Sequence, residues 1–415
     1  MKFFKNLIGT LILFLFVFSP ALKYLPLVPS KLIIITALIF SILIQSSFFI
    51  HSRFKLFIYI FFWFIYTLTR VALSVEFSYL VQQFFFIFEY FLGAYLLANV
   101  YCKFFNHLEI IRMLLYSGLF QSIIILSMAG SDSIYQLLLS FYREDFYSYM
   151  IDLNDRYFGF RGFGLASSVT YDLGVLLCMY VPLTSLFKIR RSYKILTISI
   201  ISLAAILTAR TALVLLLFLL FNQYIRKRFR LFNYIKLIFF LIFLSIIVSV
   251  IIDYNRDNGF INFVLEIFIN YKEEGELRSI STDALQKEYK VNIKELLLGA
   301  GIFTTSEGGY YGNTDVGYLR HMLFGGIISI LFLLGFYKIL YSSVSKTTYS
   351  SIISTLLIML LIVQFKGDIL MGSGQVGRFF FFIICTLNIQ TWKDYLYSMK
   401  NLGVESAHTM IQSKN

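Results

Sequence analysis

Four groups of residues have the types and spacing to do chemistry. The first is Asp155-Arg156-Tyr157-Phe158-Gly159-Phe160-Arg161-Gly162-Phe163-Gly164. A guanidinium presents a planar fork of donors that matches phosphate oxygens, and glycines on both sides let the backbone approach a ligand. Arg161 is therefore a candidate for gripping a phosphate; the plain alternative is a helix end anchored at the headgroups. The second group is Thr208-Ala209-Arg210-Thr211. Arg210 stands between two apolar runs without an acidic neighbour in sequence. An arginine at membrane depth costs roughly 2.5–3.5 kcal/mol on insertion scales and marks function by default, unless it snorkels to the interface.

The third group is Glu273-Glu274-Gly275-Glu276 with Arg278, where the arginine either meets substrate or closes a local ion pair. The fourth runs from Gly299-Ala300-Gly301-Ile302-Phe303 through Gly308-Gly309-Tyr310-Tyr311 to Asp315 and Gly317-Tyr318-Leu319-Arg320-His321. Tyr310 and Tyr311 offer flat faces on which a sugar can stack, and Arg320 adds a cation beside them. Asp315 and His321 are candidates for orienting or deprotonating a hydroxyl, which needs hydrogen-bond reach. Each also has a structural reading, Asp315 as a helix N-cap and His321 as a satisfied interfacial histidine. Inside the apolar runs, Glu89 and Arg112 are expected to pair, and Asp172 to face a polar cavity or an arginine.

Other chemistries lack their signatures. The P-loop glycine fingerprint and the G-x-S-x-G elbow are absent from the sequence, which excludes a built-in ATP motor and a serine hydrolase of the usual kind. The 4 histidines and 3 cysteines show no metal-ligand spacing, so no metal and no cofactor is expected.

The elements that must position these groups follow from composition. Of the 415 residues, 58% are hydrophobic and only 14% charged, too little charge for the surface of a water-soluble fold. A helix crossing roughly 30 Å of hydrocarbon needs about 20 apolar residues. Twelve runs qualify or nearly so: 6–23, 32–50, 54–73, 79–101, 108–128, 166–187, 193–208, 211–225, 232–252, 318–341, 349–365 and 376–391. The first also has the look of a signal peptide, but no small-residue cleavage site follows, so it is read as a retained span.

The expected architecture is a single all-α, polytopic membrane bundle over 1–415 with about twelve transmembrane helices. The formal net charge of +13 resides largely in short loops, with clusters at 188–194 and 225–236. Placing these in the cytoplasm puts both termini there, and a nucleic-acid partner is not needed to explain the charge. Two long segments, 129–165 and 253–317, then fall on the external face, the second with an amphipathic helix near 282–298.

The stretches R-G-F-G-L-A at 161–166, T-A-R-T at 208–211, G-A-G-I-F at 299–303 and T-D-V-G-Y-L-R-H-M-L-F-G-G at 314–326 resemble the O-antigen polymerase (Wzy-type) family of bacterial inner-membrane proteins, and more distantly the O-antigen ligases. The resemblance implies two periplasmic loops whose arginines handle lipid-linked sugars, and transfer of a growing glycan from undecaprenyl pyrophosphate to another lipid-linked repeat unit. It implies no metal and no nucleotide sugar. It also implies a chain-length regulator protein and a flippase as further partners, besides membrane lipid. Under it, Arg161 and Arg210 hold pyrophosphate, Arg278, Tyr310, Tyr311 and Arg320 bind substrate, and Asp315 and His321 serve the acceptor hydroxyl. A ligase acting on lipid A-core and a lipid-linked oligosaccharide flippase are the alternatives; polarity gathered in two external loops disfavours the flippase.

Overall fold

In hydrocarbon a backbone must satisfy its own N–H and C=O groups, so apolar runs of this length have helix as their open solution. The computed structural model describes residues 2–25, 28–43, 54–74, 77–157, 162–167, 171–226, 269–271, 275, 293–305, 309–345, 347, 349–372 and 374–401. Among the described residues, regular structure is helical, and strand-like pairing is confined to two isolated bridges, Leu22–Tyr142 and Thr304–Tyr310.

The helices are α1 (Lys2–Phe18), α2 (Pro29–Leu43), α3 (Phe54–Ser74) and α4 (Ser78–Phe85), which passes through a π-helical stretch, Phe86–Leu92, into α5 (Gly93–Phe104). Then come α6 (His107–Gly130), α7 (Asp132–Ser140), α8 (Glu144–Tyr157), α9 (Tyr171–Leu183), α10 (Arg191–Thr208) and α11 (Thr211–Arg226). After these come α12 (Ile293–Leu298), α13 (Gly317–Val344), α14 (Ser350–Val363) and α15 (Gly374–Asn401). Five are long and apolar enough to cross a membrane: Leu56–Ser74, Tyr79–Phe104, His107–Gly130, Arg191–Thr208 and Gly317–Val344. Shorter apolar helices, α1, α2, α9, α11, α14 and α15 among them, accompany these five. The run 232–252 lies outside the described residues, as does most of 282–298, of which the helix Ile293–Leu298 is described.

Helix α15 sits at the centre. Its residues Phe379 to Phe382 are all buried, the pattern of a helix enclosed on every side. It packs on α5, the π-helical stretch and α9.

Contacts sort the connections onto two ends of the bundle. At the first end, Lys5 Nζ donates to Phe104 O (2.8 Å), and Tyr349 Oη is hydrogen-bonded to His107 Nε2. Helix α6 starts there with a capping box in which the Asn106 side chain accepts from Glu109 N–H and the Glu109 carboxylate accepts from Asn106 N–H. At the second end, Lys23 N–H donates to Phe141 O (2.8 Å), Arg70 Nη2 to Gly299 O (2.8 Å) and Gly162 N–H to Leu207 O (3.4 Å). The segment 129–165 contains α7 and α8, packed through Tyr135, Leu139, Tyr142 and Met150.

The expected Glu89–Arg112 pair does not form. Glu89 lies fifteen residues before Phe104, about 22 Å along the axis, whereas Arg112 is five residues past His107, about 8 Å from the same end. Glu89 instead meets Arg378, and exposed Arg112 lies 5.4 Å from the Phe187 ring.

Helix α13 is broken at Gly325–Gly326, with Gly326 at φ 67°, ψ −160°, a conformation reserved for glycine. The break frees the carbonyls of Leu323 and Phe324, and the 299–303 segment fills them: Ala300 N–H donates to Leu323 O (2.7 Å) and Gly301 N–H to Phe324 O (2.8 Å). A Cβ at Gly326 would lie 2.1 Å from Leu297 O. Gly326→Ala is expected to destabilise the protein by at least about 2 kcal/mol, strain plus a backbone clash. Gly275→Ala, also at positive φ but with nothing within 4 Å, should cost only the strain. Thermal melts of the two purified variants check the order; equal melting temperatures would count against the clash.

Candidate functional site

Two extended segments hang on helix ends at the second end and bound a polar cavity. In the first, Gly164 has φ +55°, and a Cβ there would strike the Gln121 side chain at 2.5 Å. That closeness lets the Gln121 amide bracket the backbone, donating to Phe163 O and accepting from Leu165 N–H, each at 3.0 Å. Tyr142 Oη accepts from Ala166 N–H (2.7 Å) and pins the same segment. In the second, Thr305 N–H donates to Gly309 O (2.7 Å) and Tyr311 N–H to Phe303 O (3.1 Å), a small hairpin that hangs Tyr310 over the start of α13.

Arg320 lies in the first turn of α13 and is 6% exposed. Its guanidinium carbon is 3.5 Å from the Tyr310 ring centroid and 4.3 Å from that of Phe303, so aromatic faces fix its plane. Arg320 Nε has no hydrogen-bond partner among the described residues. The guanidinium borders a cavity of about 360 Å³, shared with Asp368, Asp172, Gln82, Ser167, Tyr171 and Tyr310. Phe146 and Tyr149, from α8, also line it.

Asp368 sits in the turn between α14 and α15 and is fully enclosed. Its Oδ1 is 3.3 Å from His321 Nε2 and accepts from Gln364 Nε2 (3.3 Å), while Oδ2 has no partner among the described residues. Tyr79 Oη lies 3.5 Å from His321 Nδ1 on the far side of the ring. Burial works to raise the Asp368 carboxyl, but the His321 imidazole and the Arg320 guanidinium outweigh it and hold the group below the usual carboxylate range. The arrangement sets a fixed cation and an ionised carboxylate on one cavity wall, able to hold an anion and accept from a hydroxyl.

The remaining residues singled out from sequence divide clearly. Tyr310, Arg320 and Asp172 line the cavity, and His321 stands buried behind Asp368. Tyr311 lies in the single turn Tyr311–Asn313 and does not line it. Asp315 is exposed and is not the N-cap of α13, because Val316 takes that position and Thr314 Oγ1 accepts from Val316 N–H (3.1 Å). Arg210 is half-buried in the two-residue turn between α10 and α11 and is not among the residues that line the cavity. Arg161 and Arg278 lie outside the described residues. The Gly162–Leu207 bond joins the backbone of the first segment to the end of α10.

Sequence reasoning missed Asp368, although it is the single acidic residue between the last two apolar runs. It also missed a second buried network. Arg378 Nη1 is 2.6 Å from Glu89 Oε1, Nη2 donates to Val17 O (3.1 Å), and Ser30 Oγ donates to Glu89 Oε1 (2.7 Å). One turn earlier, Gln375 Nε2 donates to Phe18 O (3.2 Å) and reaches Ser167 Oγ (3.3 Å), so this network backs the cavity wall.

No group of three or more His, Cys, Asp or Glu that could hold a metal occurs among the described residues. No protein-family model, curated protein or solved structure matches the chain.

Proposed function

We propose that this chain polymerises undecaprenyl-pyrophosphate-linked oligosaccharide repeat units at the periplasmic face of a bacterial inner membrane, as a metal-independent glycosyltransferase with about twelve spans and both termini in the cytoplasm. The observation that carries the reading is Arg320, a buried guanidinium held flat by two aromatic rings and bordering a polar cavity beside Asp368. Support also comes from the absence of a P-loop motif in the sequence, since a lipid pyrophosphate donor brings its own leaving group.

In this mechanism an acceptor hydroxyl attacks the anomeric carbon of the donor sugar, and the bond from that carbon to the pyrophosphate oxygen breaks. Arg320 stabilises the charge that develops on the departing undecaprenyl pyrophosphate, where a preorganised cation in a water-poor site is worth most. The hydroxyl proton passes to the Asp368–His321 pair. Tyr310 and Tyr149, which both line the cavity, supply apolar faces for sugar rings. Arg210, and Arg161 and Arg278 in the external segments, guide the anionic lipid headgroup toward the site.

A gene deletion analysed by displaying surface polysaccharide on a gel tests the reading. Loss of a polymerase leaves core capped by one repeat unit. Bare core would instead indicate a ligase or flippase, and unchanged long chains would remove the chain from this route.

A further inference from the structure

A second cavity, of about 450 Å³, opens at the first end between α1, α2 and α5. That volume is within the roughly 300–1,000 Å³ of small-molecule sites. Its walls are apolar, with Ile8 and Ile12 from α1, Ala37 and Phe40 from α2, and Val100 and Phe104 from α5. Gly9 belongs to the wall, and its carbonyl accepts from Tyr101 Oη (2.6 Å), which ties α1 to α5 at the groove's floor. Neighbouring faces of the same helices carry Phe3, Leu7, Ile39 and Leu43 outward, so the groove opens sideways onto the surface that meets hydrocarbon.

One charged residue interrupts the lining. Lys5 Nζ donates to Phe104 O at 2.8 Å and sits 4.6 Å from the Phe105 ring centroid. An ammonium has three donors, and Phe104 O takes one. Lys103, in the last turn of α5, adds a second positive charge at this end of the bundle. The groove therefore pairs an apolar channel with a fixed cation at its end, the complement of a hydrocarbon chain ending in a phosphate.

We propose that this groove binds one acyl chain of an anionic diacyl phospholipid, with the headgroup phosphate on Lys5. The choice of a phospholipid follows from the mouth lying at the basic first end of the bundle, opposite the polar cavity. Anionic lipids gather beside such juxtamembrane basic residues. The site depends on the helices spanning a membrane and not on the glycan chemistry, so either reading can fail alone.

The test uses the full-length protein in neutral detergent. Short-chain phosphatidylglycerol, phosphatidylcholine and farnesyl monophosphate are titrated separately, with thermal unfolding as the readout. The wild type should respond to phosphatidylglycerol at a concentration roughly fivefold lower than to phosphatidylcholine, the factor for about 1 kcal/mol per surface lysine. Lys5→Gln, an exposed change that leaves the fold intact, should bring the two lipids within about twofold, whereas Lys5→Arg should keep the preference. Ala37→Phe, which narrows the groove, should weaken both lipids. Equal responses in the wild type, or a preference that survives Lys5→Gln, would overturn the phosphate contact. Tighter binding of farnesyl monophosphate than phosphatidylglycerol would overturn the choice of a diacyl lipid.

Discussion

Replacing Arg320 by alanine is expected to stop chain elongation while the protein remains at its normal level in the membrane. Removing one preorganised donor from a site where charge develops typically costs about 10²–10³ in turnover, or roughly 2.7–4 kcal/mol. Arg320 combines that role with near-complete burial and with stacking between the Tyr310 and Phe303 rings. The chemically close substitution is the sharper one. Arg320→Lys keeps the charge but loses the planar fork and the stacking on Tyr310 and Phe303, and should restore only a small part of the activity. Polysaccharide gels on cells carrying each variant, with membrane protein matched by blotting, give the comparison. Long chains from Arg320→Ala at normal protein level would remove this residue from the reaction.

The other large effect is on stability. Glu89 and Arg378 form a buried ion pair whose arginine is 4% exposed, and Ser30 and Val17 O complete the network. Breaking such a pair on one side leaves a charge without compensation and costs about 3–5 kcal/mol, whereas replacing both sides with apolar groups is often close to neutral. Arg378→Leu and Glu89→Leu are therefore each expected to lower the melting temperature in detergent sharply, and the double variant to recover most of the loss. Because Gln375, one turn from Arg378, holds the Ser167 edge of the polar cavity, the single variants should also elongate poorly. Single variants that melt with the wild type would show that the pair contributes nothing.

Hydropathy made the helices legible, because a backbone in hydrocarbon has few options and the runs are long. Arg320, Tyr310 and Asp172 were legible as well, since each stands out chemically from an apolar or glycine-rich surround. Asp368 was not. It stands in a short turn between spans, and its partner His321 is in another helix, so only the packing of α13 against that turn joins them. Glu89 and Arg112 failed for a different reason: they belong to successive spans but to different depths, and order along a chain carries no information on depth. The glycine-rich stretches predict close approach of the backbone to a ligand. In the fold, Gly164 makes room for Gln121, and Gly299 and Gly301 dock on α3 and the broken α13, so their glycines serve close backbone contact.

The π-helical stretch Phe86–Leu92 has a consequence for how this span tolerates change. A wider turn holds an additional residue, so the two halves of the span are out of phase by about 100°, one residue's rotation. That offset is what allows Gln82 to reach the polar cavity while Phe91 and Tyr95, further along, meet Phe57 of α3. Shortening the stretch by one amino acid would restore ordinary helical pairing but twist the cavity half away from its partners. Length in this short segment is therefore under tighter constraint than the identity of its side chains, Glu89 excepted.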